Sequence, residues 1–117
     1  MTERARKLLF DTLESVRSIR SWCAARTFAE YEADRQFRRA VEREFEIIGE
    51  ALNRLQRADG ETASRISELA RIVGFRNRII HGYDTVDDAT VWGIVQDHLP
   101  KLLEETEKEL RNAGESI

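Results

Sequence analysis

Apolar residues recur every three or four positions along nearly the whole chain, and this spacing constrains the fold more than any other feature of the sequence. The first stripe runs through Ala5, Leu9, Val16, Ile19 and Cys23, which is the spacing of one face of an α-helix about 20 residues long. One proline and six glycines among 117 residues supply too few turns for a protein of many β-strands. The sequence therefore predicts an all-α protein.

A second stripe, from Phe37 to Leu55, predicts another long helix with Asp34 as its N-cap. Gly49 lies inside this stripe, where a glycine costs about 1 kcal/mol relative to alanine. We therefore expect another helix to approach Gly49 closely, because a residue without a side chain leaves room for it. Residues 27–31 break the periodicity and predict a short linking turn whose aromatic side chains fold back onto the core.

A third stripe follows a predicted loop at residues 57–60. It runs from Ile66 to Ile80 and predicts a helix that either continues through Gly74 or is interrupted there. Gly82 is expected to end this helix, as glycine commonly does at a helix C-terminus.

The last stripe, from Val91 to Leu110, predicts a helix capped by Asp87 or Asp88. Pro100 is expected to kink it, because proline lacks the N–H group and clashes with the preceding turn. Amphipathic helices joined by short loops pack as an up-and-down bundle. We thus predict a single domain over residues 1–117, a bundle of four to five helices with a kinked C-terminal helix.

Composition narrows the class of protein. No apolar run approaches the roughly 18 residues of a membrane span, and the N-terminus lacks the apolar stretch of a signal peptide, so we expect a cytoplasmic protein without a membrane partner. The single cysteine, Cys23, permits no internal disulfide. The net charge of −3 argues weakly against nucleic-acid binding. However, residues 1–43 carry ten Lys/Arg against seven Asp/Glu, which leaves room for a basic surface.

Candidate chemical groups are few. The sequence has no glycine-rich phosphate loop, no His-Glu-x-x-His motif and no cluster with metal-ligand spacing, so neither a cofactor nor a metal is expected. His98, beside Asp97, is interpreted as a surface or packing residue. The other histidine lies among polar residues crowded around a predicted helix end, namely Arg76, Asn77, Arg78, His81, Tyr83 and Asp84.

Helical geometry limits how these groups cooperate. At roughly 100° per residue, Asn77 and His81 share one side of the helix, whereas Arg76 and His81 diverge by roughly 140°. The length of arginine or a distorted last turn must close that gap, and Gly82 frees the backbone to bring Tyr83 back toward the same place. Together the cluster supplies an acid/base group, a permanent cation and two hydrogen-bonding side chains. Those are the parts needed to cleave RNA without a metal.

A structural reading of the same residues is also open. In it, the arginines pair with the acidic final helix, Asn77 makes a local cap, and residues 81–84 are only a turn.

A family resemblance favours the functional reading. The pattern Arg76-x4-His81-x-Tyr83 matches the R-x4–6-H-x-Y signature of HEPN-domain ribonucleases. The chain also resembles the HepT-like branch of that family, the toxin halves of HEPN/MNT toxin–antitoxin pairs, from about Leu8 to Leu110. The segments that carry this likeness are Glu46–Ala51, Arg76-Asn77, His81–Asp84, Val86-Asp87, Val91-Trp92 and Leu99-Pro100.

The resemblance implies a homodimeric HEPN bundle that cuts RNA without metal at a cleft formed by two motifs. By that likeness Arg76 and His81 are the catalytic pair, and we assign Asn77 as the orienting group and Tyr83 as a substrate contact. It also implies a partner minimal nucleotidyltransferase, the MNT antitoxin, that transfers AMP to Tyr83 and silences the toxin. One alternative is a non-catalytic helical partner of a nucleotidyltransferase, and another is a nucleotide-binding helical domain without nuclease activity.

Overall fold

The computed structural model describes residues 1–82 and 86–117, and this part of the chain contains helices and no strand. The helices are α1 (Glu3–Ala24), α2 (Phe28–Ala33), α3 (Arg35–Ala58), α4 (Gly60–Ser64), α5 (Leu69–His81), α6 (Asp88–Asp97) and α7 (Leu99–Asn112). The all-α prediction is therefore confirmed. Within the described residues, five helices have ten residues or more, in line with the four to five predicted, and α2 and α4 are shorter additions.

The core forms where α3 packs against both α1 and α5, and α7 also packs against α1. The predicted stripe of α1 faces this core, because Leu9, Val16 and Ile19 are fully buried. Phe45 of α3 meets Phe75 of α5 edge to face, with ring centroids 5.1 Å apart. This packing fixes α5, the helix that carries the candidate site, against the middle of α3.

Two predicted helix caps are confirmed. Asp34 accepts a hydrogen bond from the N–H of Phe37 at 3.0 Å and starts α3. Of the two candidates for α6, Asp87 is the cap, and its carboxylate accepts from the N–H of Thr90 at 2.7 Å. Each carboxylate satisfies a donor that has no partner inside its helix.

The linking turn predicted at residues 27–31 is wrong, because this segment opens the short helix α2. Thr27 and Glu30 form a reciprocal capping box, a local signal that the interrupted apolar spacing concealed. The inward folding of the aromatics is confirmed. Tyr31 is fully buried, with its ring 5.3 Å from that of Phe37 and 5.5 Å from that of Trp92.

Helix α5 differs from its prediction at its start and agrees at its end. The predicted loop at residues 57–60 is shorter than expected, because α3 reaches Ala58 and α4 begins at Gly60. Helix α5 then begins at Leu69 and continues without interruption through Gly74. It ends at His81 with Gly82 as the C-cap, as predicted, and the Gly82 N–H donates to Arg78 O at 2.8 Å.

The prediction of a single, kinked C-terminal helix is wrong, because the structure has two helices there. Helix α6 ends at Asp97, His98 is its C-cap, and α7 begins at Leu99. Pro100 lies in the first turn of α7, where a backbone N–H would have no partner inside the helix. The proline therefore starts a helix here and does not bend one.

Candidate functional site

Arg76 of α5 packs directly on Gly49 of α3. A Cβ atom added at Gly49 would lie 2.5 Å from Cγ of Arg76 and 3.2 Å from its Cδ, and closer still to its Cβ. Contacts this short are not tolerated, so a side chain at this position would push the two helices apart. The close approach predicted at Gly49 is confirmed, and the residue it admits is the arginine of the motif.

The guanidinium of Arg76 is held by two hydrogen bonds. Its Nη2 donates to Oε2 of Glu50 at 2.7 Å, and its Nη1 donates to Oδ1 of Asn77 at 2.9 Å. The third nitrogen, Nε, is buried and has no hydrogen-bond partner among the described residues. The arginine side chain is 21% exposed, so its charge lies partly out of water.

Glu50 joins Arg76 to a second arginine. Its other oxygen, Oε1, accepts from Nε of Arg54 at 2.7 Å, one helical turn further along α3. The hydrogen bond from Arg54 lowers the pKa of the Glu50 carboxyl, and the charges of Arg76 and Arg54 lower it further, while partial burial opposes them. Glu50 is therefore ionised at neutral pH and presents a fixed anion to the motif arginine.

Sequence reasoning assigned no role to Glu50. The segment Glu46–Ala51 was part of the resemblance, but the side chain that would meet Arg76 lies 26 residues away along the chain. Two signals could have pointed to it: the costly glycine at position 49, which marks a helix contact, and the next residue in sequence being an acid.

Arg76 lines a cleft of about 250 Å³ between α1, α3 and α5. Apolar side chains form one part of the lining and charged side chains the other. The apolar ones are Leu8, Ile47, Ala51 and Ile80, and the charged ones are Asp11, Arg43, Glu46, Glu50, Arg54 and Arg76. Ile80 is 40% exposed, which is unusual for a large apolar residue in the last turn of a core helix.

Two helical steps turn the chain by roughly 200°, which predicts that Arg76 and Arg78 face opposite sides of α5, and the structure gives them different surroundings. Arg78 is exposed, and its charge contributes to lowering the pKa of Asp87, after the hydrogen bonds that Asp87 receives from Thr90. Arg76 is partly buried against α3. Its partner is Glu50 of α3 and not a residue of the acidic final helix, so the structural reading is wrong for this arginine.

His81 is exposed as the last residue of α5. It shares the continuous helix α5 with Asn77, one turn earlier. Within residues 1–82 and 86–117, no hydrogen bond or ion pair is formed by the His81 side chain. The structure thus brings Arg76 and Asn77 together and leaves the imidazole open to solvent. Tyr83 and Asp84 lie outside the described residues.

His98 belongs to the packing of the bundle. It is partly buried, and its Nδ1 lies 3.1 Å from Oε2 of Glu68 at the start of α5. This agrees with the interpretation of His98 as a surface or packing residue.

The described residues lack two further features, a metal-binding cluster and a membrane-spanning helix. In the described part of the chain, no three His, Cys, Asp or Glu side chains are grouped so that they could hold a metal ion. None of its helices combines the length and apolar character needed to cross a bilayer.

The fold and site define a class of protein: an all-α bundle in which one helix carries an arginine held by an acid of a neighbouring helix and ends at an exposed histidine five residues later. The family model described as "Ribonuclease HepT-like" matches residues 12–109. The chain belongs to the HepT-like ribonuclease family, within the HEPN class that its motif resembles.

Relatives of similar length support this membership. A Methanocaldococcus jannaschii protein with the provisional name RNase MJ1380 is 32% identical over 99 residues, covering 85% of this chain and 90% of the relative. A Thermococcus cleftensis protein, provisionally named ribonuclease HepT, is 33% identical over 104 residues, covering 86% of this chain and 90% of that one. No solved structure gave a significant match.

Proposed function

We propose that this protein is an endoribonuclease that cleaves RNA by attack of the ribose 2′-hydroxyl, without a metal ion. The observation that carries the proposal is the guanidinium of Arg76, which is held by hydrogen bonds to Glu50 and Asn77. Arg76 lies on α5, the helix that ends at the exposed His81. A cation held in this way can meet a phosphate without first being ordered, which saves the entropy of fixing a long side chain.

The proposed reaction needs an acid, a base and a cation. The base removes the proton of the 2′-hydroxyl, the 2′-oxygen bonds to phosphorus, and the bond from phosphorus to the 5′-oxygen breaks. The acid protonates the leaving 5′-oxygen, so the products are a 2′,3′-cyclic phosphate and a 5′-hydroxyl. We assign acid/base chemistry to His81, charge stabilisation to Arg76, orientation of the arginine to Asn77, and substrate contact to Tyr83.

A homodimer would supply both proton-transfer groups. One protomer offers a single motif histidine, whereas a two-fold symmetric pair offers two copies of His81 on either side of one phosphate.

The cleft beside Arg76 suits a contact between two protomers. The exposed Ile80 lines this cleft together with Ile47 and the salt bridges Arg43–Glu46 and Arg54–Glu50. A two-fold symmetric contact pairs a patch with itself, so an apolar patch with charges of both signs at its rim offers each charge an opposite charge to meet.

The same proposal extends to regulation. We infer that the chain forms one HEPN domain over residues 1–117, acts in the cytoplasm, and is the toxin of a toxin–antitoxin pair. Its partner is an MNT-type nucleotidyltransferase that adds AMP to Tyr83. The added phosphodiester would bring negative charge beside Arg76, where the RNA phosphate binds.

The decisive experiment is RNA cleavage by the purified, unmodified protein in EDTA, with end-group analysis of the products. We expect cleavage to persist and to leave a 2′,3′-cyclic phosphate. Activity that stops on chelation and returns with magnesium would overturn the metal-free mechanism. A dimer that leaves RNA intact would favour the alternative, a non-catalytic partner subunit of a nucleotidyltransferase.

A further inference from the structure

A second cleft lies at the end of the bundle where α1 finishes and α2, α6 and the start of α7 meet. Its volume is about 440 Å³, and it shares no residue with the cleft beside Arg76. The side chains that give it chemical character are Arg20, Arg26, Phe28, Trp92 and Gln96. Among the described residues, no aspartate or glutamate lines it, although the whole chain carries a net charge of −3.

The two arginines of this second cleft are available to an anion. Arg20 is exposed and forms no ion pair or hydrogen bond with any residue that the structure describes. Arg26 lies over the ring of Phe37, with its guanidinium carbon 4.5 Å from the ring centroid, and 3.7 Å from Asp34. The stacking orders Arg26, and the long ion pair neutralises it only weakly.

The two aromatic rings of the second cleft, Phe28 and Trp92, are held in place by their packing contacts. Phe28 and Trp92 have ring centroids 6.3 Å apart and an interplanar angle of 55°. Trp92 also packs on the fully buried Tyr31, at 5.5 Å between centroids. Both rings are only partly buried, so each retains exposed area at the cleft while its orientation is fixed. Aromatic surface pre-ordered in this way is suited to stacking with a planar ligand.

We propose that the second cleft binds an unpaired nucleotide of single-stranded RNA. The phosphate would contact Arg20 and Arg26, the base would stack on Phe28 or Trp92, and Gln96 would hydrogen-bond an edge of the base. Alternation of cations with aromatic faces is the pattern by which proteins hold single strands. An acidic peptide would use the cations and leave the rings unused, and a duplex would keep its bases hidden from them.

The size of the second cleft suits one nucleotide, because small-ligand sites have volumes of roughly 300–1,000 Å³. The inference rests on the proposed function, which supplies RNA as the substrate. The second cleft would bind the RNA substrate at a distance from the Arg76–His81 motif. The substrate would therefore need an unpaired nucleotide near the bond that is cleaved.

Binding is best measured on a His81→Ala protein, so that RNA is not consumed. Fluorescence anisotropy would follow a short labelled single strand, and the same strand annealed to its complement, at several salt concentrations. Arg20→Ala should weaken single-strand binding about fivefold and reduce the salt slope by about 0.7, the value for one phosphate contact, while duplex binding stays unchanged. Arg4→Ala is the matched control, an equally charged change at the exposed start of the same helix, about 24 Å away.

Stacking of an RNA base on the aromatic rings is measured separately, by tryptophan fluorescence. The chain has two tryptophans, so Trp22→Phe leaves Trp92 as the single indole reporter. Single-stranded RNA should quench its fluorescence with the same midpoint as the anisotropy curve. Phe28→Leu keeps an apolar side chain but removes the ring, and it should weaken binding about fivefold or more.

The outcomes separate the two proposals. Unchanged affinity in Arg20→Ala together with an unresponsive Trp92 would overturn the RNA site, while RNA cleavage by the wild type would leave the ribonuclease proposal intact. Quenching of Trp92 by RNA in a protein that never cleaves RNA would support the site and overturn the ribonuclease. A polyglutamate peptide that quenches Trp92 more strongly than RNA would assign the second cleft to a protein partner instead.

Discussion

Arg76 and Glu50 meet at 2.7 Å although 26 residues separate them along the chain. The contact depends on the adjacent Gly49, because the arginine stem occupies the space that any side chain at position 49 would need. Helix α3 thus provides both the room for Arg76 and the anion that orients its guanidinium. The carboxylate of Glu50 is shared with Arg54, so it does not fully neutralise the motif cation.

Gly49→Ala should destabilise the protein, even though alanine favours a helix by about 1 kcal/mol over glycine. The added Cβ collides with Arg76, and overpacking of this kind costs about 1–3 kcal/mol. Urea denaturation measures the change. The control is Gly74→Ala in α5, where a Cβ meets nothing within 4 Å, and this variant should gain about 0.5–1 kcal/mol. Equal effects of the two substitutions would mean that Arg76 does not fill the space beside Gly49.

Glu50→Gln should lower kcat of RNA cleavage by about tenfold to a hundredfold, because the guanidinium of Arg76 is no longer held in one place. KM should fall at the same time, since a negative charge that competes with the RNA phosphate is removed. Steady-state kinetics separate the two effects. The same substitution at Glu42, which pairs with the exposed Arg39 on α3 and does not line the cleft beside Arg76, should leave both constants nearly unchanged. A rise in KM with constant kcat would show that Glu50 contributes to substrate binding and does not orient Arg76 in the transition state.

Arg76→Lys should remain strongly impaired in RNA cleavage, whereas Arg78→Lys should cost little. A lysine at position 76 keeps the charge but loses the planar fork that bonds to Glu50 and Asn77 and leaves a further donor for phosphate. Arg78 is exposed and takes part in neither of the hydrogen bonds to Glu50 and Asn77. Similar losses at both positions would point instead to a diffuse electrostatic surface.

His81→Ala should reduce cleavage by about 10²- to 10⁴-fold without loss of stability, because the side chain is exposed at a helix end. Mixing this variant with wild type tests the composite site. Heterodimers with one imidazole should have well below half of the wild-type activity, whereas independent sites would retain half. A fully active monomer in light scattering would remove the need for two copies.

Tyr83→Phe should retain at least partial ribonuclease activity and should escape silencing by the nucleotidyltransferase with ATP. The ring remains, but the oxygen that accepts AMP is gone. Intact-mass measurement should find adenylate additions of about 329 Da on the wild type and none on the variant. Persistent modification of Tyr83→Phe, or a modified wild type that cuts RNA at full rate, would remove Tyr83 from the regulatory role.

The sequence by itself determined the features that depend on neighbours within one helical turn. The buried stripe of α1, the cap Asp34, a cap of α6 at Asp87 or Asp88, and the end of α5 at Gly82 all follow from spacing and from local hydrogen bonding. The Arg-x4-His pattern could likewise be recognised from the sequence, because it lies within a single helix. Gly49 predicted that a helix would pack closely there, but not which residue of that helix.

Tertiary structure decided which residues meet across helices. Apolar spacing could not reveal that Glu50 would be the anion facing Arg76, because that pairing depends on the register between α3 and α5, which the Phe45–Phe75 contact and the gap at Gly49 set together. Nor could it tell a kink at Pro100 from a break at His98, since proline suits both the bend of one helix and the first turn of another. Local hydrogen bonding sets helix ends such as those at Asp34 and Gly82, and the packing of the core then selects the partners of the exposed charges.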